Sequence, residues 1–444
     1  MRIGLFTDTY FPQVSGVATS IATLKIELEL LGHEVYIFTT TDKNVKRYEN
    51  PTIIRLPSVP FISFTDRRVI YRGFLSSYKI AKQYKLDIIH TQTEFNVGIL
   101  GKLIARALHI PVIHTYHTQY EDYVGYIANG MIIRPSMVKY IMRGFLNNLD
   151  GVICPSAIVL NLLDSYKIKV PKRIIPTGIP VEKFNITHIS ESQIIELRER
   201  LGIGTENKIL LSLSRISYEK NIQAIIRHFP NVLRGFPNVK LVIVGDGPYL
   251  SELKDMVYQL ELEDSIIFTG MINHDEVPVF YKASDYFISA STSETQGLTY
   301  IESLASRTPI IAQSNPYLDD LVDSIKFGYL YEDEKEISET IIQALEFSDY
   351  MDQLSYENKL YEISSKKFGL SVFEFYLDTI IAHKNKQREK LSLLVKSSPR
   401  ERSFNLAKSA VRLPKTAYYV TKKTSKKALK IPKKIVHTLQ DFLD

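Results

Sequence analysis

The sequence contains a single cysteine, Cys154, among its 444 residues, which excludes an intrachain disulfide and indicates a reducing compartment. It also lacks any apolar run close to the roughly 18 residues that a membrane-spanning helix needs. The amino terminus, MRIGLFTDTYFP, has too short an apolar run for a secretory signal and is typical of a first strand. We therefore expect a soluble or peripheral protein, and the length suggests about two or three domains.

Charge is distributed unevenly along the chain. Residues 396–434 contain thirteen Lys or Arg and one acid, Glu401, so they carry +12 and leave −6 for the rest of a chain whose total is +6. An acidic body with a basic tail is typical of proteins that bind an anionic membrane or a nucleic acid. Apolar residues recur in this tail at spacings of three and four, which predicts an interfacial helix that Pro432 would shorten. These apolar residues are Ala428, Ile431, Ile435, Leu439 and Phe442, with Lys426, Lys427, Lys430, Lys433 and Lys434 between them.

Strand-like apolar runs alternate with helical patterns through most of the chain, and this alternation predicts doubly wound parallel sheets. The strands expected in the first half lie at 2–8, 33–40, 52–58, 87–93, 111–118, 151–156 and 172–179. Those expected in the second half lie at 208–215, 239–245, 265–270, 286–290 and 309–313. After about residue 332 the patterns are helical, and from about residue 390 the composition shifts to Lys, Ser, Thr and Pro.

The most informative stretch, residues 284–314, has the pattern of a strand, a polar loop, a helix and a second strand. Parallel α/β sheets bind ligands beyond the carboxyl ends of their strands, so we expect the chemistry in the loop Ser291–Gly297. Gly297 would let the backbone approach a ligand closely. The amides of Leu298 and Thr299 would then lie at a helix N-terminus, where they suit a phosphate.

Two carboxylates accompany this expected phosphate site, Glu294 in the loop and Glu302 in the helix. As acceptor-only groups they suggest recognition of a sugar and a ribose. Their setting, S-E-x-x-G-L-x-x-x-E-S-L-A, resembles the glutamate motif of the retaining glycosyltransferases of family 4. The resemblance covers roughly residues 1–385. It implies an α/β fold with two Rossmann-like doubly wound domains facing across a cleft, the GT-B fold, here followed by a basic helical C-terminal tail.

The resemblance also implies how the chain is divided. The run Pro176–Pro180 would be the interdomain linker. The expected parts are an acceptor-binding domain at 1–180, a nucleotide-sugar-binding domain at 181–366, a helix crossing back at 367–389 and the basic amphipathic tail at 390–444.

Two cations, Arg215 and Lys220, follow the first strand of the second domain in the run Leu211–Asn221. The resemblance makes them a clamp for the donor diphosphate. A leaving nucleotide diphosphate gains negative charge in the transition state, which a bidentate Arg and a Lys point charge would stabilise in a closed cleft.

The strand PVIHTYHT carries His114 and His117. Residues three apart on a strand face opposite sides, which disfavours a two-His metal site. His117 lies at the end of the strand and matches the family histidine that hydrogen-bonds the donor sugar, whereas His114 is expected in the core. The expected catalytic residues are His117, Arg215, Lys220 and Glu294, and we expect no protein-bound metal.

Three further positions are implied by the resemblance. Gly16 is what remains of the usual glycine pair in the loop that faces the donor phosphates, and Gly245 lies in a tight turn lining the nucleotide pocket. Met271 follows the segment whose backbone reads the base. The expected donor-binding residues are Gly16, Arg215, Lys220, Gly245, Met271, Glu294, Gly297, Leu298, Thr299 and Glu302.

The stretches FTDTYFPQVSG, HTYHTQYEDY and SETQGL resemble the bacterial diacylglycerol glucosyltransferases of this family. This resemblance implies retaining transfer of glucose from UDP-glucose to diacylglycerol at the cytoplasmic face of the cell membrane, where the enzyme would be peripheral. Basic amphipathic segments at 65–76 and 120–145 would suit an anionic membrane surface. No prosthetic group is expected, and any stimulation by Mg²⁺ would not use an Asp-x-Asp motif, because the sequence has none flanked by apolar residues.

Several alternatives stay open. A family 4 enzyme could use another UDP-sugar, or another lipid, a polymer or a protein as acceptor, and the sequence does not separate glucose from galactose. A glycosidase is disfavoured because Glu302 belongs to a helix and leaves no opposed acid and nucleophile. A basic nucleotide- or nucleic-acid-binding protein is disfavoured because the tail lacks regular aromatic platforms, so no nucleic-acid partner is expected.

Overall fold

The computed structural model describes residues 1–13, 15–42, 45, 50–61, 64–117, 135–184, 189–291, 294, 296–346 and 352–396. The chain forms two compact units, Met1–His383 and Lys384–Asp444, and the larger unit contains both sheets. The predicted tail helix and residues 120–134 of the second basic segment lie outside the described residues.

The first sheet has seven parallel strands in the order β3-β2-β1-β6-β7-β8-β9. Its strands are β1 (Arg2–Phe6), β2 (Glu34–Thr40), β3 (Ile53–Leu56), β6 (Ile88–Thr91), β7 (Val112–Thr115), β8 (Gly151–Cys154) and β9 (Lys172–Ile174). The helices around it are α1 (Gly16–Leu30), α2 (Phe74–Gln83), α3 (Asn96–Leu108), α4 (Pro135–Leu146) and α5 (Ala157–Ser165). The strand order reverses between β1 and β6, which creates a crevice at their carboxyl ends.

The second sheet has six parallel strands in the order β12-β11-β10-β13-β14-β15. Its strands are β10 (Lys208–Leu213), β11 (Val239–Val244), β12 (Ile266–Gly270), β13 (Tyr286–Ser289), β14 (Ile310–Gln313) and β15 (Gly328–Tyr331). The helices are α6 (Glu191–Arg200), α7 (Ile222–Gly235), α8 (Leu250–Gln259), α9 (Val277–Ala283), α10 (Leu298–Ala305), α11 (Pro316–Leu321), α12 (Ile337–Glu346) and α13 (Gln353–Ile363). Here the order reverses between β10 and β13.

Both sheets are covered by apolar side chains on each face. In β1, Leu5 packs in one apolar cluster and Phe6 in another, and in β10 Leu210 and Leu211 divide in the same way. Strands buried on both faces become continuous apolar runs, which is why these strands were recognisable in the sequence.

The structure differs from the predicted pattern in three places. Strand β15 was not predicted, because its short Gly-Tyr-Leu-Tyr run directly precedes a helical region. An antiparallel hairpin of β4 (Ser58–Phe61) and β5 (Phe64–Ile70) was not predicted, and β5 covers the first half of the segment 65–76 that was predicted only as a basic surface. The predicted strand 172–179 ends at Ile174, and the residues after it form the linker instead.

The linker lies against the start of the last helix, α14 (Ser365–Lys396). Ile179 donates to Ile363 O at 3.0 Å and accepts from Ser365 N at 2.7 Å. Further along α14, Tyr376 OH lies 2.8 Å from His90 Nδ1 of β6, so this helix packs on the first sheet. It extends beyond the predicted 367–389, and the proposed division into four parts stays a prediction.

Candidate active site

The loops that follow β10 and β13 meet at the carboxyl edge of the second sheet. A short 3-10 turn, Tyr218–Lys220, turns the chain toward the edge, and Lys220 Nζ donates to Glu294 Oε1. The two side chains keep only 17% and 25% of their surface exposed. The sheet's switch point therefore brings together two predicted residues that lie far apart in the sequence.

Arg215 lies in the same loop but is exposed. Among the residues that the structure describes, it forms no ion pair. Binding of an anion by its guanidinium group would therefore break no ion pair among the described residues.

A glycine allows the loops after β10 and β11 to pack together. Gly245 has φ +136°, and a Cβ there would lie 1.9 Å from Ser214 O. Its own N–H donates to Gly270 O at 3.0 Å. Gly245 is thus required by the close approach of these two loops, and its amide is already used within the protein. Met271, the next residue after β12, is 75% exposed.

The N-terminus of α10 borders the same crevice. Gly297 is its N-cap residue, with φ +76°, and among the residues that the structure describes no side chain caps the helix. The first amides, those of Leu298 and Thr299, carry the positive end of the helix dipole. A phosphate is a fitting ligand for this end.

Glu302 lies in the second turn of α10 and is largely shielded. Tyr281 OH donates to Glu302 Oε2 at 3.2 Å and also lies 3.1 Å from Thr299 O. Burial raises the pKa of Glu302 to about 7, although the Tyr281 hydrogen bond and the Lys183 charge oppose the shift. Near neutral pH the carboxyl group is therefore partly protonated, which differs from the acceptor-only role expected from the sequence.

In the first domain, His117 follows β7 and its Nε2 lies 2.7 Å from Gln92 Oε1. Burial, together with the charge of His114, lowers the pKa of His117 to about 3, so the imidazole is neutral. His114 is fully buried and contacts Glu94 Oε1 at 3.1 Å. Because β7 ends at Thr115, the predicted strand alternation applies to His114 but does not extend to His117.

Gly16 is the first residue of α1, where Ser15 Oγ accepts from Ala18 N at 3.2 Å. A Cβ at Gly16 would meet nothing within 4 Å, so no steric contact requires glycine there. Ser15, which stands beside Gly16 in place of a second glycine, serves as the helix cap.

Two glutamines that link these loops were not predicted from the sequence. Gln296 donates from Nε2 to Thr177 O at 2.7 Å and accepts from Thr177 N at 2.8 Å, which joins the Glu294 loop to the linker. Gln92 contacts His117. Their positions in the sequence could have indicated a role, because each glutamine lies in the loop after a strand that borders a switch point.

Within the described ranges, no group of three or more His, Cys, Asp or Glu side chains could hold a metal ion. Over the same ranges, no helix is both long and apolar enough to cross a membrane.

Two parallel α/β sheets, each with polar residues at its switch point, and a lysine near the N-terminus of α10 are the arrangement expected of a glycosyltransferase with the GT-B fold. The model of Glycosyltransferase Family 4 matches residues 14–183, and that of Glycosyl transferases group 1 matches residues 193–361. The chain belongs to glycosyltransferase family 4.

Over 442 residues the chain is 58% identical to the alpha-monoglucosyldiacylglycerol synthase of Streptococcus pneumoniae, covering 100% of this chain and 99% of the relative. The enzyme of the same name from Acholeplasma laidlawii is 32% identical, covering 88% of this chain and 100% of the relative. The solved structure of Anabaena HepE in complex with UDP-glucose is 17% identical with a TM-score of 0.60, covering 88% of this chain and 99% of that one. These matches confirm the predicted family, fold class and enzyme class. The individual site residues stay predictions.

Proposed function

We propose that the chain transfers glucose from UDP-glucose to the 3-hydroxyl of diacylglycerol, with retention at the anomeric carbon. The observation that carries this proposal is the Lys220–Glu294 contact beside the N-terminus of α10. This contact supports the proposal because a cation near the first amides of α10 would suit a leaving diphosphate, and the carboxylate beside it could orient a sugar. The identity with two monoglucosyldiacylglycerol synthases supports glucose and diacylglycerol as the substrates.

The donor diphosphate would bind between Arg215, Lys220 and the first amides of α10. Arg215 supplies a bidentate fork and Lys220 a point charge, and both act on the negative charge that grows as the glycosidic bond breaks. Since Lys220 is mostly shielded from solvent, its charge is screened less than that of exposed Arg215.

The two glutamates would hold opposite ends of the donor. Glu302, fixed by Tyr281 in the second turn of α10, would bind ribose hydroxyls. With a pKa near 7, its carboxyl group can donate as well as accept a hydrogen bond. Glu294, bound to Lys220 in the loop, would orient the hexose and adjust the lysine toward the phosphate.

Retention needs no nucleophile from the protein in this proposal. The acceptor hydroxyl attacks from the face that the diphosphate leaves, and a phosphate oxygen takes the hydroxyl proton. Neutral His117 would orient a hydroxyl of the sugar while the positive charge at its anomeric carbon develops.

The proposal of a lipid acceptor is supported by two exposed apolar helix faces in the first domain. Phe95, Ile99 and Leu103 follow one face of α3 at spacings of four, and each is 45–49% exposed. On α4 the exposed apolar residues are Met137, Tyr140 and Ile141.

The two helices are in contact, since Lys102 Nζ of α3 donates to Phe145 O of α4. Arg106, Lys139 and Arg143 lie on the same helices. An apolar surface with cations beside it suits peripheral binding to an anionic membrane that contains the lipid acceptor.

The experiment is a transfer assay with vesicles that contain diacylglycerol and an anionic lipid, run with UDP-glucose, UDP-galactose and UDP-N-acetylglucosamine in parallel. The proposal expects one glycolipid product, formed from UDP-glucose far faster than from the other donors. Preference for another UDP-sugar would reassign the donor. Transfer only to a polymer or protein acceptor, with none to diacylglycerol, would contradict the proposed acceptor.

A further inference from the structure

The carboxyl edge of the first sheet holds a buried polar cluster, formed by residues at the ends of β6 and β7. These neighbouring strands pair in parallel, with Thr91 opposite His114. Gln92 follows β6 directly, is 3% exposed and donates its backbone N–H to Phe6 O at 2.8 Å. Its side chain is therefore fixed at the switch point, where it meets His117 at 2.7 Å.

The amide of Gln92 is satisfied at one end only. Its Oε1 accepts from His117, whereas its Nε2 is buried without a hydrogen-bond partner in the part of the chain that the structure describes. Leaving a buried donor unpaired carries a free-energy cost, and buried amides usually satisfy both ends. Packing alone does not explain a buried amide with one unpaired end. The contact with His117 does explain it.

The surrounding groups reinforce a neutral imidazole. On the same edge, His114 Nε2 contacts Glu94 Oε1 at 3.1 Å and His114 Nδ1 lies 2.9 Å from Thr91 Oγ1. His90 of β6 is held between Thr115 and Tyr376 at 2.7 and 2.8 Å. Burial is the main cause of the lowered pKa of His117, and of these titratable groups His114 is the one that lowers it further.

We propose that Gln92 is a positioning residue for the transfer reaction: its carbonyl oxygen holds His117 as the neutral tautomer with the proton on Nε2. The other ring nitrogen, Nδ1, is then an acceptor, which is the form that can receive a hydrogen bond from a donor-sugar hydroxyl. The role of Gln92 in the transfer reaction rests on the proposed function, whereas the tautomer of His117 does not.

The test uses Gln92→Leu and Gln92→Glu in the full chain, with Gln83→Leu and Gln83→Glu as matched controls. Gln83 is the last residue of α2 and is exposed, so its substitution replaces the same side chain without affecting the buried polar cluster. Gln92→Leu removes the acceptor and should lower kcat on the order of tenfold or more while UDP affinity stays unchanged. Thermal melts check that each variant folds.

Gln92→Glu keeps the shape but places a carboxylate against the imidazole, which favours the imidazolium form. The pKa of His117 should rise, and a new acidic limb should appear in the pH profile of kcat, with activity lost below the raised pKa. A structural role alone would lower stability without moving that profile.

Nitrogen-15 NMR of the histidines, with His117 assigned by its loss in His117→Ala, reads the tautomer without any substrate. The inference expects Nε2–H in the unchanged protein and in both Gln83 variants, and a mixture of tautomers in Gln92→Leu. An unchanged tautomer in Gln92→Leu, or an altered tautomer with an unchanged kcat, would overturn it. If the unchanged protein transfers no glucose to diacylglycerol, the proposed function fails, and the NMR result still decides the positioning of His117.

Discussion

Lys220→Ala is the sharpest test of the proposed donor site, because it removes a single charge whose contact within the protein is known. Lys220 is held by Glu294, and the two side chains are 17% and 25% exposed. For a donor aimed at developing negative charge, the loss is typically about 3 to 4 kcal/mol, or about a hundred- to thousandfold in kcat. Arg215→Ala should cost less, on the order of tenfold, because that side chain is exposed and screened by solvent.

The fold should survive both substitutions. A partly exposed ion pair contributes about 0–1 kcal/mol to stability, so the melting temperature of Lys220→Ala should change little. The matched control is Lys208→Ala, which breaks the Lys208–Asp285 pair of 2.7 Å at the opposite end of β10. It removes the same chemical group at the start of β10, whereas Lys220 lies in the loop after the end of that strand.

The assay is steady-state transfer at saturating UDP-glucose, followed by UDP release and by glycolipid formation. We expect Lys220→Ala to lower kcat far more than Lys208→Ala, and Lys220→Ala with Glu294→Ala to be less than additive because the two residues touch. A kcat for Lys220→Ala equal to that of Lys208→Ala would refute the diphosphate clamp.

Three other predictions concern separate parts of the chain. Calorimetry with UDP should show that Glu302→Ala weakens nucleotide binding, whereas Glu294→Ala keeps it and loses transfer; equal losses of affinity would contradict this split. The pKa of Glu302 is raised to about 7, so its contribution to stability is present below its ordinary pKa near 4.5 and is lost as pH rises through 7. Urea unfolding should therefore show a fall of up to about 3 kcal/mol between pH 5 and pH 8 that Glu302→Gln abolishes, and an identical fall in both proteins would exclude Glu302 as its source. Removal of residues 397–444, which keeps α14 complete, should weaken sedimentation with anionic vesicles in a salt-dependent way, since each Lys or Arg near such a surface contributes about 1 kcal/mol. Unchanged sedimentation with lost transfer in detergent would instead make the tail part of the catalytic fold.

The strands could be predicted from sequence because burial on both faces leaves long apolar runs, as in β10 and β13. Strand β15 could not, because its identity depends on pairing with β14 rather than on its own short pattern. The motif around Glu294 and Glu302 predicted a site at a helix N-terminus, since that inference needs only local structure.

What sequence did not predict depends on contacts between distant segments. The raised pKa of Glu302 results from its burial beside Tyr281. Neither the spacing of residues in the sequence nor the residue type indicates that burial. In the same way, the contact between Gln92 and His117 arises because β6 and β7 are neighbours in the sheet. The bond between Gln296 and Thr177 likewise requires the two halves of the larger unit to be folded together.

The proposed reaction is transfer of glucose from UDP-glucose to diacylglycerol with retention. The most direct test is proton NMR of the glycolipid that the purified full chain forms from these two substrates in anionic vesicles. We expect a single product with an α-glucosyl linkage on the 3-hydroxyl of diacylglycerol. A β-linkage, or release of UDP and free glucose without any glycolipid, would contradict it.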